Sequence, residues 1–195
     1  MSQTTNIMIV GVGGQGTLLA SRLLGAALLR EGYDVKLSEV HGMSQRGGSV
    51  VTYVRFGDRV DSPVIERGEA DILLAFELLE AARWLPFLKP GGKVIVNTQR
   101  IDPMPVIMGK ASYPEHLTDK LAAAGVELSA LDAVALAEQA GSVKAVNVVL
   151  IGRMARSMAL TRAQWHDIIR ETVPPKFIEL NCKAFDLGYG ETPEA

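Results

Sequence analysis

In the first part of the chain, short continuous runs of apolar residues alternate with segments in which apolar residues recur at a helical period. Residues 6–10 form an apolar run that ends at a glycine-rich loop, which predicts a buried strand. Apolar residues then recur at a helical period between Ala20 and Leu28, and Gly32 follows where that helix would end. Residues 34–37 give a second strand. This stretch therefore predicts a strand–helix–strand unit with parallel strands and a right-handed crossover.

The next strand departs from this alternation. Residues 49–56 are rich in β-branched and aromatic residues, which favours a strand. Only about ten residues precede it, whereas a parallel crossover usually takes a dozen or more. We therefore expect a loop that leads into an antiparallel strand. Gly57 and Asp58 then predict a hairpin turn into a further strand over 59–65.

The rest of the pattern alternates again and then becomes helical. It predicts strands at 70–76, 93–97 and 126–128, helices at 78–85, 116–124 and 132–140, an irregular stretch at 98–114, and C-terminal helices at 143–159, 162–172 and 176–187. Thr161 precedes the second of these C-terminal helices in the manner of an N-cap.

Together these elements predict an α/β fold with three layers. We expect a Rossmann-like mixed sheet, mostly parallel, with an antiparallel strand or hairpin after the second strand and a helical C-terminal region. Residues 1–195 are interpreted as a single domain, and 143–195 as a helical extension packed on it.

Composition excludes several classes of protein. Hydrophobic residues make up 48% of the chain, which is enough for a full core, and the net charge of −2 gives no reason to expect nucleic acid as a partner. The single cysteine, Cys182, excludes an internal disulfide and an all-cysteine metal or iron–sulfur site. Neither a secretory signal nor an apolar run of ~18 residues is found. We therefore expect a cytoplasmic protein with no membrane contact.

The glycine loop is the first candidate site. Glycines at 11, 13 and 16 match the dinucleotide-binding spacing, and Glu39 lies near the position of the acid that holds ribose hydroxyls. Such a loop brings a phosphate close to backbone N–H groups at a helix N-terminus. Many glycine turns of this kind instead serve tight packing between helix and sheet, and both interpretations stay open here.

The segment 38–48 carries the second candidate site. It places an acid, an imidazole, an amide and a guanidinium between two apolar strands. His41 could move a proton near neutral pH, although we favour a structural hydrogen bond for it. Arg46, beside two glycines, could clamp a carboxylate or phosphate, or it could pair with Glu39 within the loop. The candidate cofactor-binding residues of both segments are Gly11, Gly13, Gly14, Gln15, Gly16, Glu39, Gln45, Gly47 and Gly48.

Other polar residues are weaker candidates. Glu77 and Glu80 are interpreted as solvated carboxylates on one helix. Asn97, at the carboxyl end of a strand, lies at the edge where open α/β sheets bind ligands, but a turn-forming role is favoured. His116 and His166 have no companions at metal-ligand spacing, and no metal site is predicted.

Two paired motifs resemble a known family. Gly-Val-Gly-Gly-Gln-Gly at 11–16, followed by Glu-Val-His-Gly-Met-Ser-Gln-Arg-Gly-Gly at 39–48, is similar to the gamma-type subunits of 2-oxoacid:ferredoxin oxidoreductases, in particular those of the indolepyruvate type. Gly68-Glu69-Ala70-Asp71 and the Asn181, Ala184, Phe185 and Gly188 pattern extend the likeness from about residue 5 to residue 190.

This resemblance implies a function. It implies CoA-dependent oxidative decarboxylation of an aryl 2-oxoacid, with coenzyme A as co-substrate and ferredoxin as electron acceptor. Thiamine diphosphate, Mg²⁺ and iron–sulfur clusters are then expected in a larger partner subunit, and none in this chain alone. The catalytic candidates here would be His41 and Arg46. An exposed partner-binding face would also allow a homodimer of the isolated chain.

Two other functions remain open at this point. The glycine loop and Glu39 allow a stand-alone NAD(P)- or flavin-binding oxidoreductase of Rossmann-like fold. A purely structural subunit, without any active-site residue, is the other alternative.

Overall fold

A computed structural model describes residues 4–39 and 47–190. Within these residues the strands are β1 (Thr5–Val12), β2 (Asp34–Glu39), β3 (Ser49–Gly57), β4 (Ala70–Ala75), β5 (Leu88–Asn97) and β6 (Glu127–Leu131). The helices are α1 (Thr17–Arg30), α2 (Leu78–Trp84), α3 (Met104–Ile107), α4 (Leu117–Ala122), α5 (Ala133–Ala140), α6 (Val146–Ala155), α7 (Arg162–Thr172) and α8 (Ile178–Tyr189). Apart from the hairpin discussed below, the predicted elements are present, with boundaries that differ by a few residues.

Sequence signals at the helix ends act as expected. Gly32 follows α1, where the backbone N–H of Tyr33 donates to the carbonyl of Leu28 at 3.2 Å in a Schellman arrangement. The side chain of Thr161 caps α7, and the backbone N–H of Thr161 donates to Gln164 Oε1 to complete a capping box. These short-range bonds fix where the helices begin and end.

The sheet is mixed, with the strand order β2-β3-β1-β4-β5-β6. β3 pairs antiparallel with both β1 and β2, whereas β1–β4, β4–β5 and β5–β6 are parallel. The expected antiparallel strand after the second strand is therefore confirmed. β1 and β2 run in the same direction, but β3 lies between them, so they do not pair with each other as a simple strand–helix–strand unit would.

The predicted hairpin from Gly57 into 59–65 is wrong. No strand follows β3 there, because both edges of β3 are already paired and Pro63 has no backbone N–H to donate. The segment instead runs across the surface and is tied down by side chains. Asp34 Oδ2 accepts from the backbone N–H of Val60 at 2.8 Å, and Arg55 Nη1 donates to the carbonyl of Val64 at 2.7 Å.

Alternating residues of β1 build two cores. Ile7 and Ile9 face a layer of α1, α5, α6, α7 and α8, whereas Met8 and Val10 face the layer that contains α2 and α4. Because both faces of β1 are covered, its sequence is continuously apolar from Ile7 to Val10. α6 is buried from Val146 to Ile151, so the C-terminal helices supply much of the core on their face.

A buried carboxylate joins α7 to α8. The guanidinium of Arg162 donates to Asp186 at 2.7 and 2.8 Å, and His166 Nε2 lies 2.7 Å from Asp186 Oδ1. Burial alone would raise the pKa of Asp186, but the hydrogen bonds from Arg162 and His166 outweigh it and hold that pKa below its ordinary value.

Replacing Asp186 with Asn is expected to lower the free energy of unfolding by about 2 kcal/mol at neutral pH, because Arg162 then loses its buried charged partner. A lowered folded-state pKa stabilises the fold above the ordinary carboxyl pKa, and this contribution is lost as the pH falls through the folded-state value. Urea unfolding at several pH values should therefore show a difference from the parent chain that shrinks in acid. Asp167→Asn removes an exposed partner of Arg170 and should change stability by less than about 0.5 kcal/mol.

Candidate functional site

The carboxyl ends of the parallel strands form one edge of the sheet. The glycine loop follows β1, Glu77 follows β4 closely, Asn97 ends β5, and Asp132 follows β6. α1 and α2 leave this edge towards opposite faces of the sheet. Open α/β sheets bind ligands at such a reversal, because the diverging loops leave a crevice there.

Gln15 ties three strand ends together. Its Oε1 accepts from the backbone N–H of Val12 at 2.7 Å, while its Nε2 donates to the carbonyl of Phe76 at 3.0 Å and to Gln99 Oε1 at 3.1 Å. The glutamine of the glycine motif therefore fixes the loop on the sheet. Both the oxygen and the nitrogen of its side-chain amide form hydrogen bonds within the protein.

Close packing requires two glycines of the loop. A Cβ at Gly11 would lie 2.9 Å from Gln15 Oε1 and 2.9 Å from Phe76 Cβ. Gly16 has a φ of +86°, and a Cβ there would lie 2.8 Å from Asn147 Nδ2. The packing interpretation therefore accounts for these positions. Contact of the loop with a phosphate stays a prediction.

Two buried asparagines support the same edge. Asn97 is 0% exposed, donates to the carbonyl of Phe76 at 3.2 Å and accepts from the backbone N–H of Ala133 at 3.1 Å. Asn147 donates to the carbonyl of Gly16 at 3.2 Å. Asn97 thus joins β5 to α5. Asn147, which the sequence analysis did not single out, holds the start of α1 from α6.

A cavity of about 590 Å³ lies beside the glycine loop. It is lined by Gly14, Gln15, Gly16, Gln99, Val134, Val143, Lys144 and Val146. The N-cap of α1, Gly16, and the first turns of α5 and α6 contribute to this wall. Helix N-termini and Lys144 favour negative charge, while the valines give the cavity an apolar side.

The glycine loop also contacts the end of the second candidate segment. The backbone N–H of Gly13 donates to the carbonyl of Gly48 at 2.8 Å. Gly47 and Gly48 line a second cavity of about 230 Å³. This bond brings the two sequence motifs to the same edge of the sheet.

The two glutamates of α2 correct the sequence-based interpretation. Glu77 and Glu80 are 1% and 4% exposed, not solvated, and both line the second cavity. They are buried because each carboxylate is surrounded by donors, which compensates the loss of water. The sequence signal that could have found them is an acid immediately after a buried strand, with a second acid three residues later.

Glu77 accepts hydrogen bonds from three directions. Oε2 accepts from the backbone N–H of Glu80 at 2.9 Å, and Oε1 accepts from the backbone N–H of Ile101 at 3.1 Å and from the hydroxyl of Tyr113. Burial, followed by the bond to Glu77, raises the pKa of Tyr113 well above its ordinary value. Arg100 lies over the tyrosine ring, with Cζ 4.3 Å from its centroid.

Glu80 holds the start of β3. The hydroxyl of Ser49 donates to Glu80 Oε2, and Arg83 Nε donates to Glu80 Oε1 at 3.1 Å. Trp84 Nε1 donates to Ser49 Oγ at 3.4 Å. Since Ser49 directly follows Gly48, this cluster anchors the end of the second motif from α2.

Glu39 lies on a strand that is not adjacent to the strand of the glycine loop. It ends β2, which β3 separates from β1, and its Oε1 accepts from Ser21 Oγ at 2.8 Å. An acid that holds a ribose beside a glycine loop belongs on the strand next to β1. This strand order differs from the dinucleotide-binding arrangement, and a role of Glu39 as a ribose ligand stays a prediction. His41, Gln45 and Arg46 lie outside the described residues.

The cysteine count does not fit an iron–sulfur cluster, and the described residues do not fit a metal ion. A four-cysteine cluster cannot be built from Cys182 alone, and burial raises the pKa of its thiol. Across 4–39 and 47–190, no group of three or more His, Cys, Asp or Glu residues is arranged to hold a metal. In the same ranges no helix has both the length and the apolar character that a membrane crossing requires.

Comparison with known proteins identifies the family. Residues 6–191 match the model of the pyruvate ferredoxin/flavodoxin oxidoreductase family. The chain belongs to this family. The family resemblance of the two motifs is therefore confirmed.

Family members with high identity span nearly the whole chain. The indolepyruvate oxidoreductase subunit IorB of Thermococcus kodakarensis is 47% identical over 188 residues, covering 94% of this chain and 93% of that protein. The subunit of the same name from Pyrococcus horikoshii is 48% identical over 189 residues, covering 94% and 93%.

A solved structure has the same fold. The gamma subunit of a keto/oxoacid ferredoxin oxidoreductase from Geobacter sulfurreducens aligns with a TM-score of 0.70 at 24% identity, covering 95% of this chain and 96% of that one. This likeness supports the mixed six-stranded sheet and its helical C-terminal region.

Proposed function

We propose that this chain is the subunit without cofactors in a 2-oxoacid:ferredoxin oxidoreductase of the indolepyruvate type. The complex would cleave the bond between the carboxyl and keto carbons of an aryl 2-oxoacid, release CO₂, transfer the acyl group to coenzyme A and pass two electrons to ferredoxin. The near full-length identity of 47% to a subunit named for indolepyruvate oxidation carries this proposal.

The hard chemistry would reside in a larger partner subunit. Thiamine diphosphate with Mg²⁺ would supply the carbanion chemistry there, and iron–sulfur clusters would carry the electrons. The single cysteine of this chain supports that division. Docking of this rigid α/β module would then complete the active-site region.

The two motifs would face that shared region. The hydrogen bond of 2.8 Å between Gly13 and Gly48 supports this placement, because it holds both motifs at one edge. The larger cavity beside Gly14 and Lys144 has the size and charge for an anionic group of a co-substrate such as coenzyme A. Arg46 and His41 would add polar contacts to the oxoacid or coenzyme A, or secure the subunit interface.

Replacing Arg46 with Ala in the reconstituted complex tests this role. If Arg46 contacts the oxoacid or coenzyme A, kcat/KM should fall by about ten- to a hundredfold with assembly intact, because one charge-assisted hydrogen-bonded contact is lost. A residue that acts at the interface would instead weaken association of the subunits. The measurements are 2-oxoacid-dependent reduction of a ferredoxin surrogate and co-purification.

Arg22→Ala is the matched control, because Arg22 is an exposed arginine on α1. Turnover and assembly that are unchanged by Arg46→Ala would remove Arg46 from the proposal. Failure of the parent complex to reduce the surrogate with any aryl 2-oxoacid would contradict the proposed reaction itself.

A further inference from the structure

A third cavity, lined mainly by polar residues, lies at the opposite edge of the sheet from the glycine loop. Lys93 and Glu127 begin the parallel ladder between β5 and β6, whereas Asn97 and Leu131 end it at the site edge. The cavity near Lys93 has a volume of about 270 Å³. It is lined by Lys93, Ile95, Glu127, Ser129, Arg153, Arg156 and Ser157.

The lysine in this wall is already neutralised. Lys93 Nζ lies 2.7 Å from Glu127 Oε1 and donates to Ser157 Oγ at 2.7 Å. These contacts hold the ends of β5, β6 and α6 together. They do not provide a counter-charge for Arg153 or Arg156.

The two arginines are not compensated within the described part of the chain. No carboxylate there forms an ion pair with Arg153 or Arg156, and Arg153 Nε is buried with no hydrogen-bond partner. Burial, together with the nearby charge of Arg156, lowers the pKa of Arg153. A buried donor without an acceptor costs about 1–3 kcal/mol, so the position of this guanidinium beside the cavity calls for an explanation.

The helix dipole alone does not balance these arginines. Arg153 lies in the last turn of α6 and Arg156 follows its end, where positive charge is favourable. A helix C-terminus carries only about half a negative charge, against two full positive charges here. The dipole also provides no acceptor for the buried Nε of Arg153.

We propose that this cavity binds a phosphate-class oxyanion. Arg153 would donate from its planar guanidinium, Arg156 would add the second positive charge, and the hydroxyls of Ser129 and Ser157 would complete the set of donors. The volume leaves room for a small organic substituent on the phosphate. The site is separate from the glycine-loop edge, so it does not depend on the proposed function.

Calorimetric titration of the full chain at constant ionic strength tests the proposal, with inorganic phosphate and glycerol 3-phosphate as the two probes. Saturable binding of at least one probe is expected. Arg153→Gln and Arg156→Gln should each weaken it by about tenfold or more, because each removes a charge-assisted contact. Tighter binding of glycerol 3-phosphate would identify an organophosphate as the natural ligand class, and equal binding would identify phosphate itself.

Arg22→Gln removes the same charge from an exposed position of α1 and serves as the control. Equal weakening in this control would overturn the proposal, because binding would then reflect overall charge. The absence of saturable binding in the parent chain would also overturn it. So would an Arg156→Gln chain that binds phosphate normally but no longer assembles with the larger subunit, since the cavity would then receive a carboxylate of that partner.

Discussion

Replacing Gly188 with Ala is expected to destabilise the fold by about 3 kcal/mol or more. A Cβ at Gly188 would lie 1.9 Å from the carbonyl oxygen of Val149. On the facing helix, a Cβ at Gly152 would lie 2.2 Å from the carbonyl oxygen of Phe185. The backbones of α6 and α8 therefore touch through reciprocal glycines. Neither helix can accept a methyl group without moving away.

Moving α6 and α8 apart would also disturb the packing of the hydrophobic core. α6 is buried from Val146 to Ile151, and Phe185 packs against Trp165 with ring centroids 5.7 Å apart. The measurement is urea or thermal unfolding followed by circular dichroism. An unfolding free energy within about 1 kcal/mol of the parent would contradict the close-contact argument.

Gly25→Ala is the matched control for Gly188→Ala. Gly25 also lies within a helix, but a Cβ there would meet only Leu37 Cδ1 at 3.9 Å. Alanine should therefore stabilise α1 by about 0.5–1 kcal/mol, since it loses less conformational entropy on folding. Opposite signs for the two substitutions would separate close packing from helix propensity.

The second large effect is expected at Glu77. Glu77→Ala should cost about 3–5 kcal/mol, because it leaves the backbone N–H groups of Glu80 and Ile101 and the hydroxyl of Tyr113 without their acceptor. Glu77→Gln keeps one carbonyl acceptor and should cost less. Chemical unfolding measures both, and hydrogen exchange should show reduced protection at Ile101.

A double-mutant cycle isolates the bond between Glu77 and Tyr113. Tyr113→Phe removes the hydroxyl donor, so its cost should not add to that of Glu77→Gln, and the coupling should be about 1 kcal/mol or more. Glu138→Ala, which truncates an exposed glutamate of α5, should change stability by less than about 0.5 kcal/mol. Simple additivity in the cycle would show that the two side chains do not act together.

The local pattern of the sequence predicted most elements correctly. Helical spacing located α1, and glycine and threonine signals located the helix ends, because those bonds join residues within one or two turns. The short connection before Ser49 predicted an antiparallel β3, since too few residues remain for a crossover. Motif spacing also identified the family, which the match over 6–191 confirms.

The sequence did not predict the sheet position of β3 or the buried carboxylates. Insertion of β3 between β1 and β2 is a pairing choice between distant segments. It places Glu39 on a strand that does not adjoin β1 and leaves no free edge for a hairpin after Gly57. Two of the three donors to Glu77 come from residues 24 and 36 positions along the chain. A carboxylate with such partners looks like a surface residue in the sequence.

The sequence by itself determined the elements, their ends and the family, because periodicity, capping and motif spacing are properties of neighbouring residues. Only the tertiary structure decided which of the polar groups are buried. It showed that Gln15 donates to the carbonyl of Phe76 at the sheet edge and that Glu80 accepts from the hydroxyl of Ser49. The physical reason is that burial and hydrogen-bond satisfaction depend on groups that only folding brings together.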